Sequence, residues 1–543
     1  MNPGRLLRGC ALGLLVGCFG FGAFRLLHRH QREHDPNRVT VRFAHWQLEA
    51  GVAEGFDRIA RDYERRHPHV RIEQLRIPER VFAQWATTQL IGGTAPDLIE
   101  LGFNIDTLLK ARHFEPISRF IDAPNPYNAG TPLAGQPWRN TFVDGLDSGF
   151  DEKLGDYYGI PSFFATIRVY CNRNLLREIT GGEQLPGSYD ELLALCEKTR
   201  AFAARTGRAL VPIAASRDNA PYLLDELFAA QSQKLVHAFS PLRKLLPSQD
   251  GFFSGYLAGE WNFDTPAIRS GLTLMREVGQ YLQPGFLQLR REDAMFHFCQ
   301  GKALLVAAGS WEATGLRTQA RFPLGVFRLP VPGPDHPRYG THTWGRPAES
   351  GGRTAESGGR RTTGPFGLYQ GSKHPDVALD FLRFLSSQRA HQAFIDRSGW
   401  LPVVVGVEPP ESMRDFAPDP EGALGGLSLR WGAEILRITE NNWHLLFAPH
   451  GGVEAFVAEV APRYREAMAA DMRRRDRRSF QQLMLGDSSL EAVRQLAARQ
   501  PDDPGQQFKL EALLQTQNER DVYYYYMNHR LADIARTNPE TTR

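Results

Sequence analysis

Hydrophobic and polar positions change period several times along this chain, and each change marks an element. Val39, Val41 and Phe43 alternate with Thr40 and Arg42, the period-two pattern of a strand with one buried face. Phe56, Ile59, Ala60 and Tyr63 then recur at helical spacing, and residues 70–73 (VRIE) return to alternation. A second helix carries Phe82, Trp85 and Leu90. Gly92 and Gly93 close it, and Pro96 prevents its continuation just before the apolar run at 98–101. Strand, helix, strand, helix, strand within about sixty residues requires crossover connections and therefore a parallel sheet.

From about residue 165 to 325 helical spacing dominates, as in Leu192, Leu193 and Cys196, or Leu223, Leu224, Leu227 and Phe228. Ser188 and Glu191 are spaced as a capping box, in which each side chain satisfies an orphan backbone donor of the other. Residues 345–364 break the pattern. AESGGRT at 348–354 is followed by AESGGRR at 355–361, a near-duplication without apolar positions that predicts a mobile surface loop. Five arginines lie within 473–478, and Leu483, Leu485, Leu490, Val493 and Leu496 then predict short helices. Asp502, Asp503, Pro504 and Gly505 make a break. A final helix carries Leu510, Leu513, Leu514, the tyrosines 523–526, Leu531 and Ile534, with the tyrosine run packing one side of it against the body.

Several segments, in unbroken order over roughly residues 38–475, carry a family resemblance. They are GGTAPDLIEL (92–101), YYGIP (157–161) with YCNRNLL (170–176), PGSYDEL (186–192), FHFCQGKALLVAAGSW (296–311), FRLP (327–330), SKHP (372–375) and SGWLP (398–402). Together they resemble the extracellular solute-binding proteins of the sugar-binding type, the maltose-binding-protein-like family 1 receptors of ABC importers. The resemblance implies an α/β, two-lobed periplasmic-binding-protein-like fold of type II. Each lobe would be a mostly parallel sheet flanked by helices. It divides the chain into an N-terminal segment (1–37), a first lobe (38–160 with about 364–402) and a second lobe (161–363 with about 403–475). Residues 476–543 form a helical C-terminal extension beyond the resemblance.

Bulk properties add little to this frame. A length of 543 residues exceeds what one core organises. A formal net charge of +3 gives no argument for a nucleic-acid partner. Of five cysteines, Cys10 and Cys18 lie in an N-terminal apolar stretch; Cys171, Cys196 and Cys299 lack metal-ligand spacing and read as buried free thiols. Arg5 and Arg8 precede the apolar run 9–24 and Arg25 ends it, the form of an export signal. LVGC at 15–18 matches a lipoprotein cleavage box with Cys18 as the lipidated residue; apolar residues continuing through Phe24 equally fit an uncleaved transmembrane anchor. Either reading tethers the chain to the cytoplasmic membrane on its extracytoplasmic, periplasmic side. His28, His30 and His34 read as a solvated basic segment, and no metal or cofactor is expected.

In open α/β sheets ligands bind beyond the carboxyl ends of strands. The first predicted strand delivers Trp46, Gln47 and Glu49 there, the third delivers Asn104, and the apolar run 303–307 delivers Trp311 and Glu312. A sugar needs aromatic plates for its C–H faces and side chains that donate and accept for its hydroxyls, which these residues supply. The resemblance implies that Trp311 stacks on sugar and that Phe163 and Phe164, at the first crossover, contact ligand. Ala165 stands where the best-known maltodextrin binders carry an acidic residue, which argues against maltodextrin. Asp97 reads as a structural cap. The expected function is capture of a carbohydrate, an oligosaccharide, and its delivery to ABC permease subunits. A glycosidase would need paired carboxylates, and no Gly-x-Ser-x-Gly, His-Glu-x-x-His or complete phosphate loop supports an enzyme. A third reading is a receptor-fold sensor or assembly protein that docks through its C-terminal extension.

Overall fold

The computed structural model describes residues 38–101, 105, 107–151, 154–239, 249–347, 362–418 and 425–537. The N-terminal segment with Cys18 and its histidines, Asn104, and the duplicated stretch 348–361 lie outside the described residues. In chain order the first lobe begins with β1 (Val39–His45), α1 (Val52–Arg66), β2 (Val70–Arg76), α2 (Glu79–Ile91) and β3 (Leu98–Glu100). The chain then crosses to β4 (Ile167–Asn172), α3 (Tyr189–Thr206), β5 (Val211–Ala214), α4 (Pro221–Phe239), α5 (Gln249–Leu257) and α6 (Pro266–Gly279). It continues through α7 (Arg291–Cys299), β6 (Ala303–Gly309) and β7 (Leu324–Phe327). It returns with β8 (Phe366–Leu368), α8 (Pro375–Leu385) and α9 (Gln388–Ser398). It crosses a third time to α10 (Ala433–Phe447), α11 (Val453–Arg499) and α12 (Pro504–Thr537).

Two four-stranded sheets result, ordered β8-β3-β1-β2 and β7-β4-β6-β5. In the first, β1 pairs in parallel with β2 from Val39↔Val70 to His45↔Arg76, and with β3 at Phe43↔Leu98. Only β8 is antiparallel, with Phe366 opposite Glu100. The second sheet is mixed: β5 and β6 run parallel, whereas β4 is antiparallel to both β6 and β7. Every residue of β6 is buried, which explains why its sequence is a continuous apolar run without alternation. In α1 the buried Phe56, Ile59, Ala60 and Tyr63 form the stripe that the spacing predicted. Asp97 caps as expected: its carboxylate accepts from the Arg42 N–H at 2.8 Å and the Ser372 hydroxyl at 2.6 Å. Cys171, Cys196 and Cys299 are free thiols, the first two buried. No helix among the described residues is long and apolar enough to cross a membrane.

The C-terminal extension corrects one expectation. Instead of short helices after the arginine run, α11 is a single helix of 47 residues that carries the run in its middle. The arginines are tolerated because two find partners on other elements: Arg474 pairs with Glu434 at 2.7 Å, and Arg475 with the buried Asp250. The break at 502–505 is present, with Pro504 opening α12. Of the tyrosine run, Tyr523 and Tyr526 pack on the second-lobe core and Tyr524 meets Phe480 of α11, while Tyr525 is 75% exposed.

α10 starts without a cap from its own sequence, and α11 supplies one. The buried carboxylate of Asp471 accepts from the N–H groups of Ala433 (3.1 Å), Glu434 (3.0 Å) and Ile435 (3.1 Å), where the helix dipole also favours negative charge. Asp471→Ala should therefore cost about 1–3 kcal/mol in urea denaturation, since three N–H groups, that of Ile435 buried, lose their acceptor. A loss below about 0.5 kcal/mol would show that this cap does not fasten the extension.

Candidate functional site

The site is assembled from the strand ends of both lobes. On the first-lobe side, β1 ends in His45, which is fully buried; its Nε2 lies 2.9 Å from Gln74 Oε1. Burial pulls its pKa down to about 4, so the ring is neutral at pH 7. Trp46 follows, half-buried and edge-on to Phe82 with centroids 4.8 Å apart. Gln47 donates from Nε2 to Glu100 Oε1 at 2.6 Å, and the Trp46 backbone N–H donates to Glu100 Oε2 at 3.3 Å. Glu100 is 0% exposed at the end of β3. Burial pushes its carboxyl up to about 8, against the pull of the two donors. Glu100 thus acts as a neutral bracket that holds the turn carrying Trp46 and Gln47.

On the second-lobe side, Trp311 and Glu312 occupy the 3₁₀ turn Ser310–Glu312 directly after β6. The Ser310 N–H donates to the Thr166 carbonyl at 2.8 Å and fixes that turn. The Trp311 ring lies over Gly309, where an added Cβ would stand 2.3 Å from three ring carbons, so a side chain at 309 would displace the ring. The ring meets Tyr222 edge to face, with centroids 6.5 Å apart. Trp311 is half-buried and its side chain hydrogen-bonds Glu312.

Arg291, at the start of α7, joins the two sides. Its guanidinium lies 3.6 Å from Glu312 of its own lobe and 3.9 Å from Glu79, which opens α2 in the first lobe. Glu49 sits in the same field. Its Oε2 is buried without a hydrogen-bond partner, and burial pushes its pKa up to about 7, with Glu312 adding to the rise and Arg291 opposing it. The Glu312 carboxyl is likewise raised, chiefly by burial. Two carboxylates, one from each lobe, therefore flank one guanidinium and a third lies in its field, while Trp46 and Trp311 each follow a strand end.

Of the residues expected from sequence, Glu49, Glu312 and Trp311 lie around Arg291, whereas Trp46 packs on Phe82 at the end of β1. Gln47 is only 5% exposed and its amide nitrogen is engaged by Glu100. Phe163 and Phe164 are 6% and 5% exposed. Phe163 packs on Trp400 with centroids 3.9 Å apart, and the Phe164 N–H donates to the Leu401 carbonyl at 2.9 Å. In this arrangement both rings are core of the passage between lobes. Asn104 lies outside the described residues. Sequence reasoning missed Arg291, Glu79 and Tyr222; the one available signal was the charged run 290–293 just upstream of the apolar strand 303–309. Among the described residues no cluster of His, Cys, Asp and Glu could hold a metal ion.

The raised Glu100 carboxyl has a defined consequence. A folded-state pKa near 8, above the ordinary carboxylate value, gives stability that is complete at low pH and lost as pH rises through about 8. Unfolding free energies measured from pH 5 to 9 should fall for the native protein by on the order of 3 kcal/mol more than for Glu100→Gln, which stays neutral throughout. Parallel pH profiles for the two proteins would contradict the neutral-bracket assignment.

No curated protein matches the sequence significantly. Among solved structures, the chain is similar to a chitin oligosaccharide binding protein at 16% identity, covering 80% of this chain and 100% of that one with a TM-score of 0.55. It is similar to the sugar-binding protein MalE from the phytopathogen Xanthomonas citri at 19% identity, covering 80% and 98%, with a TM-score of 0.50. A third is the maltose/maltodextrin-binding domain MalE from Bdellovibrio bacteriovorus bound to maltotriose, at 14% identity, covering 78% and 98%, with a TM-score of 0.51. Identities this low establish the shared two-lobed type II fold and nothing finer. The family model described as bacterial extracellular solute-binding protein matches residues 49–392, more than half of the chain. With this match, and with two four-stranded sheets between which the backbone passes three times, the chain belongs to the bacterial extracellular solute-binding protein family.

Proposed function

We propose that this protein is a carbohydrate receptor that closes on an oligosaccharide and delivers it to an ABC-type importer on the extracytoplasmic face of the membrane, tethered there through its N-terminal segment. The observation that carries the reading is the cross-lobe cluster of Arg291 and Glu312 with Glu79, in whose field Glu49 lies; Trp311 hydrogen-bonds Glu312, and Trp46 stands on the turn that leads to Glu49. A ligand that bonds groups of both lobes favours their approach by its differential affinity for that arrangement, with no chemistry required. Carboxylates and a guanidinium bind hydroxyl edges, and indole rings cover flat C–H faces. In this proposal Trp46, Glu49, Trp311 and Glu312 touch the ligand, Asn104 joins them from the third strand end, and Gln47 orients their turn through Glu100. Sugar-binding relatives of the same fold support the class of ligand.

The test is thermal melting of the full chain against a panel of mono- and oligosaccharides. A ligand at about one hundred times its dissociation constant stabilises by about 2.7 kcal/mol, a shift of several degrees at most for a body this large. Trp311→Ala should remove most of that shift. It should lower the unliganded melting temperature only slightly, because the ring is half-buried on Gly309 and Tyr222. An intact ligand response in Trp311→Ala would remove Trp311 from the site, and a panel without any response would overturn the carbohydrate reading.

A further inference from the structure

A two-lobed receptor functions by letting its lobes part and meet, and here the backbone passes between them three times. The C-terminal hairpin adds a fourth link of a different kind. α11 is rooted in the second lobe: Phe456, Val460, Tyr464, Met468 and Met472 belong to the same buried core as Phe252, Trp261 and Trp443. The later half of α12 is rooted there too, through Met527 and Ile534. Arg530 fastens it, donating to Ser254 Oγ at 2.9 Å and to Glu260 Oε2 at 2.5 Å, and Tyr523 donates to Asp250 at 3.1 Å.

The early half of α12 rests on the other lobe. Phe508 stacks on Tyr157, with centroids 6.2 Å apart and planes 23° from parallel. Lys509 Nζ lies 3.0 Å from Asp156 Oδ2, a carboxylate whose residue is only 1% exposed. Leu513, 2% exposed, covers Gly155, where an added Cβ would stand 2.4 Å from the leucine Cδ2 and where φ is +62°. These three partners sit on or beside the strands Phe150–Asp151 and Asp156–Tyr157, which are fixed to the first lobe. The Ile117 N–H donates to the Tyr157 carbonyl at 2.8 Å, and Lys110 pairs with Asp151 at 2.6 Å. Leu154 packs among Ala44, Phe82 and Ile99 beneath the strand end that carries Trp46.

We infer that α12 is an interlobe strap: it holds the first lobe against the second from outside the cleft and so sets the fraction of molecules in the approached, ligand-competent arrangement. The second-lobe root is broad and apolar, whereas the first-lobe footing is one ring stack, one ion pair and one leucine. Separation of the lobes therefore breaks the footing and leaves the root in place. Breaking it strips the buried Asp156 of its cation and exposes Leu513, so the strap opposes opening without contacting the ligand. Apparent affinity scales with the competent fraction, which gives residues 508–513 control over binding from a distance. The inference rests on the two-lobed fold and on no particular ligand.

The test measures the distance between spin labels at the exposed Arg80 of the first lobe and Arg205 of the second, in the full chain without ligand. Phe508→Ala with Lys509→Ala should add a longer-distance population that the native protein lacks. Tyr157→Ala, made from the opposite side, should do the same, and Lys509→Arg should leave the native distribution in place. Near-ultraviolet circular dichroism of each variant confirms that the lobes remain packed, and a variant failing it is replaced by Leu513→Ala in the same comparison. An unchanged distribution in the double variant overturns the strap, as does a shift to shorter distance. A sugar panel with no response would leave this outcome untouched.

Discussion

The antiparallel pairing of β8 with β3 is the constraint on which the rest of the structure depends. β8 follows the strands of the second sheet in the chain, and with Phe366 opposite Glu100 it completes the first sheet. That pairing buries the Glu100 carboxyl, and the carboxyl in turn fixes the Gln47 amide and the Trp46 backbone at the end of β1. The first-lobe wall of the cleft is therefore not finished until the chain has built most of the second lobe and returned. Such long-range closure carries an entropic cost, and large rings such as Phe163 and Trp400 pack together where the chain crosses.

Electrostatics in the cleft follow from the same geometry. Burial raises Glu100 to about 8 and, against the pull of Arg291, Glu49 to about 7, so one carboxyl is neutral at pH 7 and the other titrates near it. Arg291 is the cation that both lobes share, and its 3.6 and 3.9 Å separations are longer than direct hydrogen bonds. Loose pairs of this kind give little stability to the approached arrangement by themselves. They leave it to be favoured by a ligand inside the cleft and by the C-terminal helix outside it.

Much of the first lobe was legible in the sequence because its strands alternate and its helices carry clear apolar stripes. β1, α1, β2, α2 and β3 fall where Val39 to Leu101 place them, and the glycine-closed end of α2 is marked by Gly92 and Gly93. The antiparallel share of the second sheet was not legible, since an all-buried strand such as β6 reads the same with neighbours in either direction. Nor was the continuity of α11: its arginines look like a terminus until Asp250 and Glu434 are seen beside them. For the site, strand ends located Trp46 and Trp311, whereas Arg291 and Glu79 come together only through the approach of two lobes. Phe163 and Phe164 show the opposite case, where position at a crossover suggested ligand contact but both side chains are buried, Phe163 against Trp400.

The central claim is that one ligand bridges the two strand-end turns. Hydrogen exchange of the full chain, with and without a mixture of neutral oligosaccharides, measures this directly. Backbone amides in both segments 46–50 and 310–313 should exchange more slowly on ligand addition. Protection of one turn alone, or protection confined to other surfaces such as the C-terminal hairpin, would contradict it.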